Sequence, residues 1–135
     1  MTVVEANSND GIVTLRSAYA FTETVEHLSA ALTSHGATLF ATIDHQAAAA
    51  SVGLEMPPTT LIIFGNPKIG TPVMVERPLV ALDLPSKVLV SEAAPGAVIV
   101  SFNSANYLRR RHSIPSKLAA TLSPLEKLLE AAVAH

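Results

Sequence analysis

The chain has no cysteine, which excludes disulfides, thiolate nucleophiles and cysteine-ligated zinc or iron–sulfur centres. Aromatic residues are scarce, at 4%, and charged residues make up only 15%, with a net charge of -2. An acidic chain so poor in aromatics lacks both the positive field and the stacking surface used to hold nucleic acid. No run approaches the roughly 20 apolar residues of a membrane span. The N-terminus, Met-Thr-Val-Val-Glu-Ala-Asn-Ser-Asn-Asp-Gly, has neither a basic start nor an apolar core of the secretory kind. A cytoplasmic protein is expected, with no membrane and no nucleic acid among its partners. What the chain does have is apolar content, 49% of 135 residues. That is enough for one domain with a core that needs no staples.

Residues 1–11 read as a disordered lead-in that ends at the Asp10-Gly11 turn, and residues 12–135 as a single domain. Alternation over 12–21 predicts a strand. Thr22 is placed to cap a helix carrying Glu23 and Glu26 in its first turn, with Val25, Leu28, Leu32 and His35 on one stripe and Gly36 as the left-handed stop. A second strand follows over 37–43, then a short alanine-rich helix capped by Asp44 and closed by Gly53. The β-branched run 59–64 is a third strand. One short helix fits before Pro78, most simply over 72–77. Residues 79–92 read as a fourth strand interrupted at Pro85, and 97–103 as a fifth, paired antiparallel to it across Pro95-Gly96. Ser104 or Asn103 caps a helical turn through Arg111. Ser123-Pro124-Leu125-Glu126 has the form of a capping box, so the C-terminal segment 115–135 is either a kinked helix or two helices in series.

This order predicts an α+β fold: an antiparallel five-stranded sheet with helices packed on one face, running strand, helix, four strands, helix. The third and fifth strands are apolar on both faces, whereas a sheet wetted on one side alternates. A second copy of the chain, in a two-fold homodimer, is the expected cover.

Four of the nine prolines, Pro67, Pro72, Pro78 and Pro85, crowd the stretch 63–87, and the polar candidates gather around it. Gly65-Asn66-Pro67-Lys68-Ile69-Gly70-Thr71 follows a strand but lacks the lysine of a phosphate loop, and its prolines delete backbone donors. It is a corner, or a small anion site built on Asn66 and free amides. Asp83 and Lys87, four apart, share a face if the segment is extended, as an ion pair or as acceptor and donor flanking a ligand. Asp44-His45 is a helix cap that also resembles an acid–imidazole pair. Of Arg109, Arg110 and Arg111, spread about 100° apart on a helix, one or two are expected to be solvated and another to pair with a carboxylate or hold an anion. His112 follows them, while His27, His35 and His135 read as surface residues. The sequence has no nucleophile elbow, no paired zinc spacing and no dinucleotide fingerprint, so no metal or cofactor is expected.

Asp44-His45, Phe64-Gly65-Asn66-Pro67, Gly70-Thr71, the run from Pro78 to Lys87, and Tyr107-Leu108 leading to Arg111-His112 together resemble the family of the domain of unknown function 302. The resemblance covers about residues 12–114. Ser86 departs from the larger apolar residue of the family pattern, and the tail after Pro115 reads as an addition. The resemblance implies a TATA-binding-protein-like α+β core and a homodimer. It supplies no reaction, and its matching polar positions, Asp44, His45, Asn66, Asp83, Lys87, Arg111 and His112, are the candidate site. Three functions are compatible. The first is a sensor or accessory domain binding a small polar or anionic ligand through Asn66, Asp83, Lys87, Asp44, His45 and Arg111. The second is an enzyme with His45 or His112 as general base near Asp83, acting on a small carbonyl or acyl substrate. The third is a structural dimer that docks a partner protein through its C-terminal helix.

Overall fold

A computed structural model of the chain describes residues 11–134, together with the backbone of residues 3–7. The strands are β1 (Val3–Asn7), β2 (Ile12–Arg16), β3 (Thr38–Asp44), β4 (Thr59–Gly65), β5 (Ser86–Ala94) and β6 (Ala97–Asn103). The helices are α1 (Phe21–Ser34), α2 (His45–Ala50), α3 (Pro67–Glu76), α4 (Ala105–His112), α5 (Ser116–Ala119) and α6 (Pro124–Val133), with a 3-10 turn over Pro78–Leu82. All pairings are antiparallel, in the order β1-β2-β6-β5-β4-β3. From β2 the chain crosses through α1 to the far edge at β3, then returns strand by strand to pair β6 with β2. Strands β2 to β6 are the expected α+β arrangement. The sixth strand, β1, falls in the segment read as a disordered lead-in. It pairs with β2, whose outer edge would otherwise present unpaired backbone groups.

Burial alternates along the central strands, and the inward set forms one core with the helices: Leu15, Ile62, Phe64, Val88, Val90, Val98, Val100 and Phe102 meet Leu28 and Leu32 of α1 and Leu129 and Val133 of α6. Both long helices therefore lie on the same face. The stripe read for α1 holds at Leu28 and Leu32, while His35 is exposed. The C-terminal segment is two helices in series, and α6 belongs to the core. Leu129 and Val133 are fully buried, so the leucine face expected to dock a partner is already covered.

Four local readings are corrected. Thr22 does not cap α1: the N-cap is Ala20, and Thr24 Oγ1 donates to the Ala20 carbonyl oxygen at 2.9 Å. Helix α3 starts at Pro67 rather than Pro72, because Asn66 closes its first turn: Oδ1 accepts from Lys68 N at 3.0 Å. Residues 79–84 are not strand. Pro78 opens a 3-10 turn that buries Val80 against Val73 and leaves Leu79 and Leu82 exposed, and β5 begins only after Pro85. Asp83 and Lys87 therefore do not share a strand. The capping box at Ser123 does not form either, since Glu126 Oε2 accepts from Ala105 N, the first residue of α4, at 2.8 Å.

Helices α3, α4 and α5 and the 3-10 turn pack into a second apolar cluster: Val73, Val80, Leu84, Leu108, Ile114 and Ala119. Its parts attach where β4 ends, β5 begins and β6 ends, which the antiparallel pairing places at one end of the sheet. The turn at Gly96 and helix α2 sit at the opposite end.

Candidate functional site

Between the main core and this second cluster lies a cleft of about 450 Å³, within the usual range for small-molecule sites. Its inner wall is apolar: Leu32 of α1, Phe64 of β4, Phe102 of β6, Leu108 of α4, and Leu125 and Leu128 of α6. Met74 of α3 and Leu84 close the other side, and polar groups join the lining at Asn66, Asp83, Lys87 and Glu126.

Of the seven sequence candidates, Asn66, Asp83 and Lys87 line this cleft. Arg111 and His112 reach it only through Asp83. Asp83 Oδ2 accepts from His112 Nε2 at 2.5 Å, and Arg111 Nη1 lies 3.2 Å from each Asp83 carboxylate oxygen. A carboxylate only accepts, so this bond requires the proton on Nε2. The His112 and Asp83 side chains are 7% and 14% exposed, against 47% for Arg111. The imidazole contact is thus the sheltered one, tying the 3-10 turn to the end of α4. The expected arginine–carboxylate pair is this one, while Arg109 bonds Asn106 Oδ1 at 2.7 Å.

Asp44 and His45 are elsewhere. Asp44 pairs with Thr60, five residues down β4 from Gly65, which separates them from the cleft by on the order of 17 Å. Asp44 Oδ1 accepts from Ala47 N at 2.9 Å, the helix cap alone, and His45 is exposed. The two histidines proposed as general bases therefore stand at opposite ends of the sheet. Among the described residues no three His, Asp or Glu side chains converge as metal ligands.

The corner after β4 offers no anion cradle. Besides Lys68 N on Asn66 Oδ1, the amides of Ile69 and Gly70 are held by the Asn66 carbonyl oxygen at 2.9 and 2.8 Å. Lys87 Nζ donates to the Pro85 carbonyl oxygen at 3.0 Å.

Sequence reasoning missed several lining residues. His35, read as surface, lines the cleft with its Nδ1 held 3.0 Å from the Ala31 carbonyl oxygen. Phe40 lies at a bulge in β3 and is half exposed; a Cβ at Gly65 would stand 3.2 Å from its Cε2. An aromatic beside the glycine of the next strand was the one available signal. Glu126 had none, because its partner is 21 residues away.

A single antiparallel sheet with helices on one face defines a small α+β domain that carries a cleft at one end. The chain belongs to the family of the domain of unknown function DUF302, whose model matches residues 13–132. The match takes in most of the segment read as an addition after Pro115, in keeping with the buried position of α6. A solved structure of an uncharacterized conserved DUF302 protein from Bacillus stearothermophilus superposes with a TM-score of 0.77 at 22% identity, covering 91% of this chain and 95% of that one. Curated relatives include fluoride-specific ion channel FluC 1 of Brucella suis biovar 1, 41% identical over 106 residues that cover 78% of this chain and 42% of that protein. The Brucella abortus biovar 1 protein of the same name is likewise 41% identical, with 39% of its length covered. The chain thus spans about two-fifths of these relatives. No helix of the described residues is long and apolar enough to cross a membrane.

Proposed function

We propose that this domain binds a small molecule in the cleft at the helical end of its sheet, as a cytoplasmic sensor or accessory module working as a homodimer. The observation that carries the reading is the cleft itself, about 450 Å³ with an apolar interior, where three of the seven polar candidates gather. The lining shifts the expected ligand from a purely polar one to a molecule with an apolar body. The test is a plug. A Cβ built at Gly70 meets Met74 Cε at 3.7 Å and Leu84 Cδ1 at 3.9 Å, ordinary contacts with two lining side chains. Gly70→Leu is therefore expected to fill the cleft while keeping or raising stability, by up to about 1 kcal/mol of helix propensity. Affinity for an apolar probe such as decanol, measured by titration calorimetry, should fall by more than about tenfold, or 1.4 kcal/mol. Unchanged affinity would move the site elsewhere.

The homodimer rests on the other face of the sheet. Leu61, Ile63, Leu89 and Ile99 are half-buried there, joined by Ile12 and Ile43, and the two long helices are both on the opposite side. Exposed apolar area of this extent marks an interaction surface. Light scattering at micromolar concentration should give twice the 14.1 kDa chain mass, and Leu89→Glu should return a folded monomer. A wild-type monomer would remove this part of the reading.

An enzyme built on His45 or His112 has less support, since neither lines the cleft and Nε2 of His112 is engaged by Asp83. Docking through the C-terminal helix has less support, since Leu129 and Val133 of its apolar face belong to the core. Fluoride specificity belongs to the relatives as whole proteins, well over half of which lies outside the match.

A further inference from the structure

We infer that the cleft takes an amphipathic organic anion, its apolar body against the inner wall and its carboxylate paired with Lys87. The inference rests on the small-molecule reading above and names the chemical class. Leu32, Phe64, Phe102, Leu108, Leu125 and Leu128 provide no side-chain polar partner, so the part of a ligand lying among them carries no polar atoms: an alkyl chain or a plain ring. The head group is then decided by which charges at the cleft are already matched.

Three charged side chains line it: Asp83, Glu126 and Lys87. Asp83 is engaged by His112 and Arg111, so an incoming amine would have to displace an existing ion pair. Glu126 is turned to the amide that opens α4. Lys87 donates only to a backbone carbonyl, and among the described residues no carboxylate lies within 4 Å of its ammonium. Lys87 is exposed and lies across from Ile63, so it borders the cleft from the side of the open sheet face, and a carboxylate at the mouth of the cleft meets a cation without a charged partner. The rival anion position at the start of α3 is closed, because Asn66 consumes the amides there. With Oδ1 committed to Lys68 N, Asn66 has its Nδ2 as a second donor. One cation and one amide donor suit a monocarboxylate better than a dianionic phosphate ester.

The experiment titrates the full chain, by calorimetry below the micelle concentration, with decanoate, decanol and decylamine, which share a tail and differ in head group. Wild type is expected to prefer decanoate by at least about tenfold, a difference of 1.4 kcal/mol. Lys87→Met, which keeps the apolar stem, should erase that preference, bringing decanoate down to the affinity of decanol for the same variant. Equal binding of all three probes, tighter binding of decylamine, or a decanoate preference that survives Lys87→Met would overturn the anion assignment with the cleft intact. Binding of none of the probes, or binding that Gly70→Leu does not disturb, would instead overturn the cleft reading on which the assignment rests. Circular dichroism of each variant checks that loss of binding is not loss of fold.

Discussion

Gly11→Ala is expected to lower the unfolding free energy by about 2 to 5 kcal/mol, because two separate penalties fall on one atom. Gly11 is buried with φ +77°, a conformation in which a Cβ crowds its own backbone. The added Cβ would also lie 2.3 to 2.5 Å from Cβ, Cγ and Cδ1 of Tyr107. Truncating Tyr107 to alanine does not relieve this, since its own Cβ is the nearest obstacle. The Gly11 carbonyl oxygen is held by Ser104 N at 2.8 Å, so neither segment is free to retreat. The control is built into the chain. Gly53 and Gly96 have φ +80° and +81° with nothing within 4 Å, and alanine there should cost only the conformational part, about 1 to 2 kcal/mol. Urea unfolding of the three variants compares them directly. Equal losses at all three positions would mean that the start of β2 does not pack on α4 as described.

Leu129→Ala should cost about 2 to 5 kcal/mol, the range for a large side chain removed from a closed core. Leu129 is fully buried between α1 and the sheet, in the same cluster as Leu28, Leu32 and Val133. The magnitude decides whether the C-terminal segment is part of the domain or an appendage. Deleting residues 116–135 should go further and prevent cooperative folding, since it strips Leu129 and Val133 from the core and Leu125 and Leu128 from the cleft wall. A loss below about 1 kcal/mol for Leu129→Ala would contradict the core position of α6.

Several readings that rest on short-range chemistry agree with the structure. Asp44 and Ser104 each cap a helix, Gly36 ends α1 with φ +86°, and Pro95-Gly96 turns β5 into β6. Strand alternation then carries the order of the sheet. Some readings failed locally, since Ala20 rather than Thr22 opens α1 and Asn66 rather than Thr71 opens α3; others failed on contacts that the local sequence does not show. Residues 79–84 have the composition of a strand, yet they form a turn that places Val80 in one cluster with Val73, Leu108 and Ile114. Glu126 has the spacing of a capping box, yet a distant amide takes its carboxylate. The site divides in the same way. Asn66, Asp83 and Lys87 were legible as polar residues punctuating one corner. The contact of Asp83 with His112 spans 29 residues and leaves no local trace. Asp44-His45 looked chemical because a helix cap and an acid–imidazole pair share the same residues. Only the direction of β3 shows that they sit at the end of the sheet away from the cleft.

The cleft as a ligand site is tested most directly by methyl-resolved NMR of the wild-type chain titrated with decanoate. Saturable shifts are expected at Leu32, Met74, Leu84, Leu125 and Leu128, with Val52 and Leu54 beside α2 unmoved. Shifts confined to Leu61, Leu89 and Ile99 on the open sheet face, or no saturable shift at any methyl group, would contradict it.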